Sequence, residues 1–284
     1  MMAAVLALTA CDNRAAPEAP ANQQEAAPVA PAAAAPTPLK MSRLDCGTAT
    51  IKNFDAFFSD RPGLYAKGPR DIVDSCYLIQ HGDQILLWDT GFGGALKGGE
   101  KDMGDLVARL KRTLAEQLAD GKLTPADVDV VGISHMHADH TGGAKEFPAA
   151  RLIIGKADFE QSAGKEDPFG PWRQAGGKVT TASADLDIFG DGSVTAIRLP
   201  GHTPDHLALL VKLASGPVFL TGDLYHSTDA RTKRGVPPFN TDRAQTLASM
   251  DKYEAMVRAL KAKVVIQHEP ADVVKLPAFP KAAE

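Results

Sequence analysis

Short apolar blocks separated by polar turns run through residues 39–284, and most of them predict β-strands. The predicted strands cover 41–51, 72–79, 84–89, 128–133, 151–155, 194–199, 206–213, 217–221 and 263–267. Two blocks instead predict helices: leucines recur every four residues in 105–120, and an apolar face follows helical spacing in 242–262, with Thr241 as its N-cap. Strands and helices alternate in two rough halves, so the pattern predicts an α/β fold.

Residues 53–70 do not follow either pattern. They carry Phe54, Phe57, Phe58 and Tyr65 among glycines and prolines, which argues against a helix. The aromatic rings either pack beneath this loop or line the mouth of a pocket, and the sequence leaves both possibilities open.

The first 38 residues have the composition of targeting and linker segments. Residues 1–11 are largely apolar and end at Cys11, which resembles the signal of bacterial lipoproteins, whose cysteine becomes lipidated. Residues 12–38 are mainly Ala, Pro, Gln and Glu, a composition typical of a disordered tether. We therefore predict a periplasmic or cell-envelope protein with a lipid anchor, no mature transmembrane segment, and one folded domain over 39–284.

The overall composition is ordinary for a globular protein, with 44% apolar and 23% charged residues among 284. A net charge of −4 with scattered basic residues argues against nucleic acid as a partner. The oligomeric state stays open, a homodimer included. Cys46 and Cys76 lie on two early predicted strands, and they either form a disulfide in an oxidising compartment or remain free buried thiols.

The candidate chemistry is concentrated directly after the predicted strand 128–133. His135, His137, Asp139 and His140 follow it, so three of the eight histidines in the chain fall within six residues. Histidine and carboxylate side chains are common ligands of catalytic transition metals. Alternate residues that leave a strand keep their side chains on one side. The cluster therefore predicts a metal site at the end of this strand.

Three more candidate ligands follow predicted strands in the same way. They are His202, Asp223 and His268. Because the ends of strands in an α/β sheet form its usual ligand-binding edge, we expect these residues to join the first cluster. Any one of them would be weak evidence, but four polar strand ends in succession indicate one shared site.

The motif His135-x-His137-x-Asp139-His140 resembles that of the metallo-β-lactamase superfamily of dinuclear metallohydrolases. The resemblance implies a single αββα domain, in which two mixed β-sheets face each other between layers of helices. The implied ligands are His135, His137 and His202 for one divalent ion, Asp139, His140 and His268 for the second, and Asp223 as a bridge between them. It also implies that Asp89, which closes the strand 84–89, orients one of these ligands.

Within the superfamily, a bridging Asp223 without cysteine near the cluster is similar to the N-acyl-homoserine lactonase branch. That resemblance implies an enzyme that opens lactone rings, with N-acyl-homoserine lactones as the expected substrates, by attack of a metal-bridging hydroxide on the carbonyl. Zn²⁺ is the expected ion, and Mn, Fe or Co would also suit the ligands. Two alternatives stay open: a hydrolase of thioesters, phosphodiesters or β-lactams, and a metal-binding lipoprotein without activity.

Catalytic roles are predicted for Asp139 and Tyr225. The lactonases carry a tyrosine after the bridging aspartate that is thought to assist at the substrate carbonyl. In this chain Tyr225 lies two residues after Asp223, where three are expected, and His226 occupies the third place. The role is therefore given to Tyr225, and the alternatives are that His226 takes it or that neither residue does. Apart from that role, His206 and His226 are each expected to support a ligand or to lie at the surface.

Overall fold

A computed structural model describes residues 37–164 and 166–284 of the chain. Its strands are β1 (Leu39–Ile51), β2 (Arg70–His81), β3 (Gln84–Trp88), β4 (Glu100–Asp102), β5 (Leu106–Arg109), β6 (Val130–Gly132), β7 (Arg151–Gly155), β8 (Val179–Ala182), β9 (Leu186–Asp187), β10 (Val194–Arg198), β11 (Leu207–Leu213), β12 (Gly216–Leu220) and β13 (Lys263–Val265). Its α-helices are α1 (Phe54–Phe58), α2 (Leu114–Leu118), α3 (Ala138–Thr141), α4 (Lys156–Gln161), α5 (Gly170–Arg173), α6 (Thr228–Lys233), α7 (Arg243–Leu260) and α8 (Pro270–Val273).

The strands form two mixed sheets. The first has eight strands in the order β4-β5-β1-β2-β3-β6-β7-β8, and the second has five in the order β13-β12-β11-β10-β9. Their facing surfaces share one apolar layer, in which Tyr77 and Trp88 of the first sheet are buried with Leu209, Val211 and Leu220 of the second. Because alternate residues of a strand point to opposite faces, each sheet also presents an apolar outer surface.

Helices cover the two outer surfaces. Leu114 and Leu118 of α2 are buried in the apolar cluster on the outside of the first sheet. On the second sheet, Met250 and Tyr253 of α7 pack with Phe219, whose carbonyl accepts a hydrogen bond of 2.8 Å from the Tyr253 hydroxyl. The predicted αββα sandwich is thereby confirmed, and its polar strand ends lie along one edge.

The segment 105–120 is not the single helix that the leucine spacing predicts. Its first part is the strand β5, which pairs with Thr48–Ile51 of β1, and α2 begins only after the capping box formed by Thr113 and Glu116. Residues four apart share a face in a strand as well as in a helix, because four is a multiple of the strand period of two. The spacing therefore could not distinguish the two structures.

Two smaller predictions about helices were also wrong. The segment 53–70 contains the short helix α1, which Asn53 caps by accepting a hydrogen bond from the Ala56 amide. The N-cap of α7 is Asp242 rather than Thr241, because the Asp242 side chain accepts from the Gln245 amide at 2.9 Å. In both cases a short polar side chain satisfies an amide that the first helical turn leaves free.

Cys46 and Cys76 form a disulfide between β1 and β2, which settles the alternative that the sequence left open. Their Cα atoms are 5.8 Å apart, and both side chains are buried. Gly91, at φ +66°, packs directly on this bridge, since a Cβ atom there would lie 2.5 Å from the Cβ of Cys46. The disulfide therefore supports the segment that leads from β3 towards the polar edge.

Loss of this disulfide is expected to destabilise the domain. The two cysteines are separated by 30 residues, and constraining a loop of that size in the unfolded chain is worth about 3–4 kcal/mol. We expect a Cys46→Ser/Cys76→Ser double variant to lose unfolding free energy of that order in urea titrations. A reductant should destabilise the parent and leave the variant unchanged, whereas equal stability of the two proteins would contradict the prediction.

The predicted signal segment 1–11 and residues 12–36 of the predicted tether lie outside the described residues, so both stay predictions. Within 37–164 and 166–284, none of the helices combines the length and hydrophobicity that crossing a membrane requires.

Candidate metal centre

All seven predicted ligands lie together at one edge of the sandwich. Their donor atoms form two groups, each with its members within 4.8 Å of one another: His135, His137, His202 and Asp223 in the first, and Asp139, His140 and His268 in the second. The Leu207 amide at the start of β11 donates to the Ser134 carbonyl at 2.8 Å, which joins the second sheet to the segment that carries the first histidines. The structure thus brings together the residues that the sequence places far apart.

The imidazole nitrogens within each group approach one another closely. In the first group, Nε2 of His135 and Nε2 of His202 each lie 3.0 Å from Nδ1 of His137. In the second, Nε2 of His140 lies 3.3 Å from Nε2 of His268. Asp139 is at the margin of this group, with Oδ2 3.9 Å from His268 and 4.0 Å from His140, and it is 27% exposed.

Asp223 lies between the two groups and presents one oxygen to each. Oδ2 is 3.6 Å from Nε2 of His135 and 3.5 Å from Nε2 of His202. Oδ1 is 3.2 Å from Nε2 of His140 and 3.0 Å from Nε2 of His268. This is the placement that a carboxylate bridging two cations requires.

Electrostatics at the centre favour positive charge between the imidazoles and Asp223. Burial alone would raise the pKa of Asp223, but His268 and His140 outweigh that effect and hold the pKa well below its ordinary value. Burial lowers the pKa of His135 and His202, which keeps these rings neutral with a free lone pair. Neutral imidazole and ionised carboxylate are the forms that bind metal, and Asp223, His135 and His202 are already in them. Burial alone would lower the pKa of His140 and His268, but Asp223 raises both, so these two rings would release a proton when a cation binds.

The residues present fit a pair of divalent cations. Asp223 Oδ1 is buried and accepts no hydrogen bond from any described residue, although a buried polar atom normally has a partner. Imidazole nitrogen and carboxylate oxygen are the donor set of zinc and of similar transition metals. A bound cation would satisfy this oxygen together with the converging nitrogens.

The outer nitrogens of four rings are held by hydrogen bonds. The partner atoms are Ser134 Oγ for His135, Asp89 Oδ2 for His140, Asn240 Oδ1 for His202 and the Val73 carbonyl for His268, at distances of 2.8–3.0 Å. Such contacts fix the orientation of metal-binding histidines. The sequence indicated Asp89 but missed Ser134, Asn240 and Val73.

Asp89 has further contacts that fix its own position. It has φ +61°, accepts from the Ser134 amide at 2.7 Å, and accepts from Gln267 Nε2 at 2.8 Å. His206 supports the other side of the centre, because its Nε2 accepts from the Asp223 amide at 2.9 Å while Nδ1 contacts the Leu199 carbonyl. The expected supporting position of His206 therefore agrees with the structure.

A cavity of about 550 Å³ opens over the two groups. Its polar end includes His137, Asp139, Asp223, His226 and His268. Its apolar wall consists of Ala49, Ile51, Ala56, Phe57, Phe58, Ile72, Phe92, Met103, Leu106, Pro238 and Phe239. The aromatic residues of 53–70 are therefore divided between both predicted positions: some line the cavity, while Phe54 and Tyr65 are buried beside them.

The sequence-family model described as Metallo-beta-lactamase superfamily matches residues 70–268 of this chain. The chain belongs to this superfamily. The matched range contains Asp89 and all seven residues of the two groups. The superfamily assignment made from the histidine motif is thereby confirmed.

The relatives include N-acyl homoserine lactonases named AttM. The protein of Rhizobium johnstonii is 30% identical over 219 residues, which are 69% of this chain and 81% of that protein. The protein of Azorhizobium caulinodans is 33% identical over 177 residues, so that the match spans 56% of this chain and 64% of that relative's length. A solved N-acyl homoserine lactone hydrolase with N-hexanoyl-L-homoserine at its catalytic metal centre has a TM-score of 0.73 at 19% identity, covering 87% and 100% of the two chains.

Tyr225 does not lie at the cavity, where the catalytic role predicted for it would place it. Its ring lies in the core cluster beneath α7, its hydroxyl donates to Glu254 at 3.2 Å, and it is not among the cavity-lining residues. His226 lines the cavity instead, with Nε2 3.1 Å from Asp223 Oδ2. The backbone turn after β12 directs successive side chains to opposite sides, so the prediction for Tyr225 was wrong in its placement.

Asp158 supports the loop that carries His202 and offers a test by pH. The Thr203 hydroxyl donates to Asp158 Oδ2 at 2.7 Å, whereas Oδ1 is buried without a partner among the described residues. Burial raises the pKa of Asp158 to about 7. Because this pKa is higher in the folded protein than in the unfolded chain, the unfolding free energy falls as the pH rises towards 7.

An Asp158→Asn variant is expected to escape this loss while keeping an acceptor for Thr203. Its stability relative to the parent should increase by about 2–3 kcal/mol between roughly pH 5 and pH 8. Thermal unfolding of both proteins across this range measures the difference. A difference that does not change with pH would contradict a buried ionisation at Asp158.

Proposed function

We propose that this chain is a metal-dependent hydrolase that opens the ring of N-acyl-homoserine lactones. The observation that carries the proposal is the position of Asp223 between two ligand groups, at the polar end of a mainly apolar cavity. The AttM relatives are N-acyl homoserine lactonases, which supports the same substrate class.

Two divalent cations suit this centre, and zinc is the expected ion. His135, His137 and His202 would hold one, and Asp139, His140 and His268 would hold the other, with Asp223 shared between them. When bound, the pair would supply an activated water at neutral pH and a Lewis acid for the carbonyl oxygen.

The residues of the chain position the reactants around this centre. Asp139 lines the cavity and is partly exposed, so its carboxylate is placed to accept a proton from the attacking water and return it to the leaving ring oxygen. Asp89 and Asn240 keep His140 and His202 in fixed orientations, so the site needs little rearrangement when substrate binds.

The cavity suits a small polar head attached to an apolar chain. A volume of about 550 Å³ lies within the usual range for small-molecule sites. The lactone would meet the polar end, while Phe57, Ile72 and Leu106 would contact the acyl chain. Within the described residues, lysine and arginine are absent from the cavity lining, which disfavours the alternative of a phosphodiesterase.

A matched substrate panel tests the proposal. Purified protein loaded with zinc should hydrolyse N-acyl-homoserine lactones faster than a thioester, a phosphodiester or a β-lactam of similar size, and a chelator should stop the reaction. His137→Ala should lose the activity, whereas His81→Ala, which alters a histidine outside the cavity, should retain it. Chelator-insensitive hydrolysis, or full activity of His137→Ala, would contradict the proposal.

We also propose that the protein functions outside the cytoplasm, at the periplasmic side of the cell envelope, anchored by lipid at Cys11. The buried disulfide between Cys46 and Cys76 supports this, because disulfides persist mainly in oxidising compartments. Incorporation of labelled palmitate into the parent but not into Cys11→Ala, with the variant released from membranes, is the expected result. Equal labelling of both proteins would contradict the anchor.

A further inference from the structure

His226 contacts the metal centre without belonging to either ligand group. Its Nε2 lies 3.1 Å from Asp223 Oδ2, and only 3% of its surface is exposed. An ionised carboxylate can only accept hydrogen bonds, so Nε2 must carry the hydrogen that is donated to Asp223. His226 is therefore a donor to the carboxylate placed between the two groups.

This donor is distinct from the other contacts of Asp223. The imidazoles of His135 and His202 also approach Oδ2, but their nitrogens converge on the space where a cation would bind. The backbone amide of Asp223 donates to His206, a contact that restrains the main chain and does not involve the carboxylate. Among the residues that the structure describes, His226 is the one that donates to this carboxylate from a side chain outside the ligand set.

The ring of His226 is itself held by the apolar wall of the cavity. It lies 4.3 Å from the ring of Phe58 in α1, with an angle of 32° between the planes, and 6.2 Å from that of Phe239. The next residue, Ser227, caps α6 by accepting from the Ala230 amide, which restrains the backbone. The aromatic wall and Asp223 are thus connected through one imidazole.

We propose that His226 is a positioning residue that orients Asp223 for sharing between two cations. The inference rests on the metal site of the proposed function. It assigns His226 a role through the Nε2 hydrogen, which is different from the role at the substrate carbonyl predicted for Tyr225. A side chain that only fills space would need the ring and not the hydrogen.

Two substitutions test the hydrogen-bond donor of His226 and its ring separately. His226→Gln keeps an N–H donor at the same number of bonds from Cβ but removes the ring that packs on Phe58. His226→Phe keeps a ring of similar shape but removes the donor. His81 provides matched controls, because it pairs with Asp191 at 2.7 Å and stacks on Phe189 at 4.2 Å outside the cavity.

Retention of zinc is measured by competition with a chromophoric chelator, with thermal unfolding of each variant as a check on folding. We expect His226→Phe to lose zinc at about 10–100-fold lower chelator concentration than the parent, the usual effect of removing an outer hydrogen-bond partner. The chelator concentration that removes zinc from His226→Gln should be within about threefold of that for the parent, a much smaller change than in His226→Phe. His81→Phe and His81→Gln should match the parent.

Unchanged zinc retention in His226→Phe would overturn the inference, and so would a loss in His226→Gln as large as that in His226→Phe. The measurement uses no lactone, so it is independent of the substrate assignment. If the parent itself bound no zinc, the proposed function would fail. If the parent bound two ions and His226→Phe did the same with equal strength, only the role of His226 would fail.

Discussion

Replacing Asp223 with asparagine is expected to lower lactone hydrolysis by about 1000-fold and to reduce the bound zinc from two ions per chain to about one. The carboxylate directs one oxygen to each ligand group, at 3.0–3.6 Å from four imidazole nitrogens. An amide keeps the size of the side chain but lacks the charge and the second oxygen, so it cannot be shared by two cations. Elemental analysis and lactone kinetics on the same preparation measure both effects.

Asp191→Asn is a suitable control for this substitution. Asp191 also contacts a histidine, at 2.7 Å, but it is 40% exposed and lies outside the cavity. Both the zinc content and the hydrolysis rate of this variant should match those of the parent. If Asp223→Asn retained two ions and full activity, the shared carboxylate would not be part of the centre.

The ligand set could be predicted because each residue follows a strand whose apolar pattern is strong. His135, His202 and His268 follow β6, β10 and β13. The bounds predicted for these strands are close to those in the structure. β10, β12 and β13 run in one direction in the second sheet, so their ends share an edge and group His202, Asp223 and His268. β6 belongs to the first sheet, so finding the strands did not by itself place the first histidines beside them. The histidine motif added the pairing of ligands into two sets.

The supporting contacts could not be predicted in the same way. Asn240 belongs to a loop ahead of α7, and the Val73 carbonyl belongs to β2, yet both hold ligands that are distant in the sequence. A backbone carbonyl has no sequence pattern, and an asparagine in a loop is usually a turn residue. These roles depend on the tertiary arrangement of the two sheets.

The positions of Tyr225 and His226 show a second limit of prediction from the sequence. The residues are adjacent, and one turn after β12 determines which of them faces the cavity. The sequence shows that Tyr225 and His226 lie two and three residues after Asp223, but it does not show the direction in which each side chain points. The structure resolves this because the Tyr225 ring packs in the core and its hydroxyl contacts Glu254, while His226 contacts Asp223.

Removal of metal is expected to lower the thermal stability of the domain by roughly 10 °C or more. Four histidines and Asp223 are at most 4% exposed, so their polar atoms lose access to water on folding. A cation that binds only the folded state adds about 4 kcal/mol at 1000 times its dissociation constant, and each kcal/mol shifts the unfolding temperature by about 2–4 °C in a domain of this size. Thermal unfolding with excess zinc and with excess chelator measures the difference.

We expect the thermal stabilisation by zinc to come from binding at the two ligand groups. In Asp223→Asn, zinc and chelator should therefore produce a smaller difference in unfolding temperature than in the parent, because one cation is lost together with the shared carboxylate. In the His81→Phe protein the difference should equal that of the parent, since His81 lies outside the cavity. Equal responses of Asp223→Asn and the parent would place the stabilising zinc elsewhere on the protein, and the two ligand groups would then have no demonstrated role in binding it.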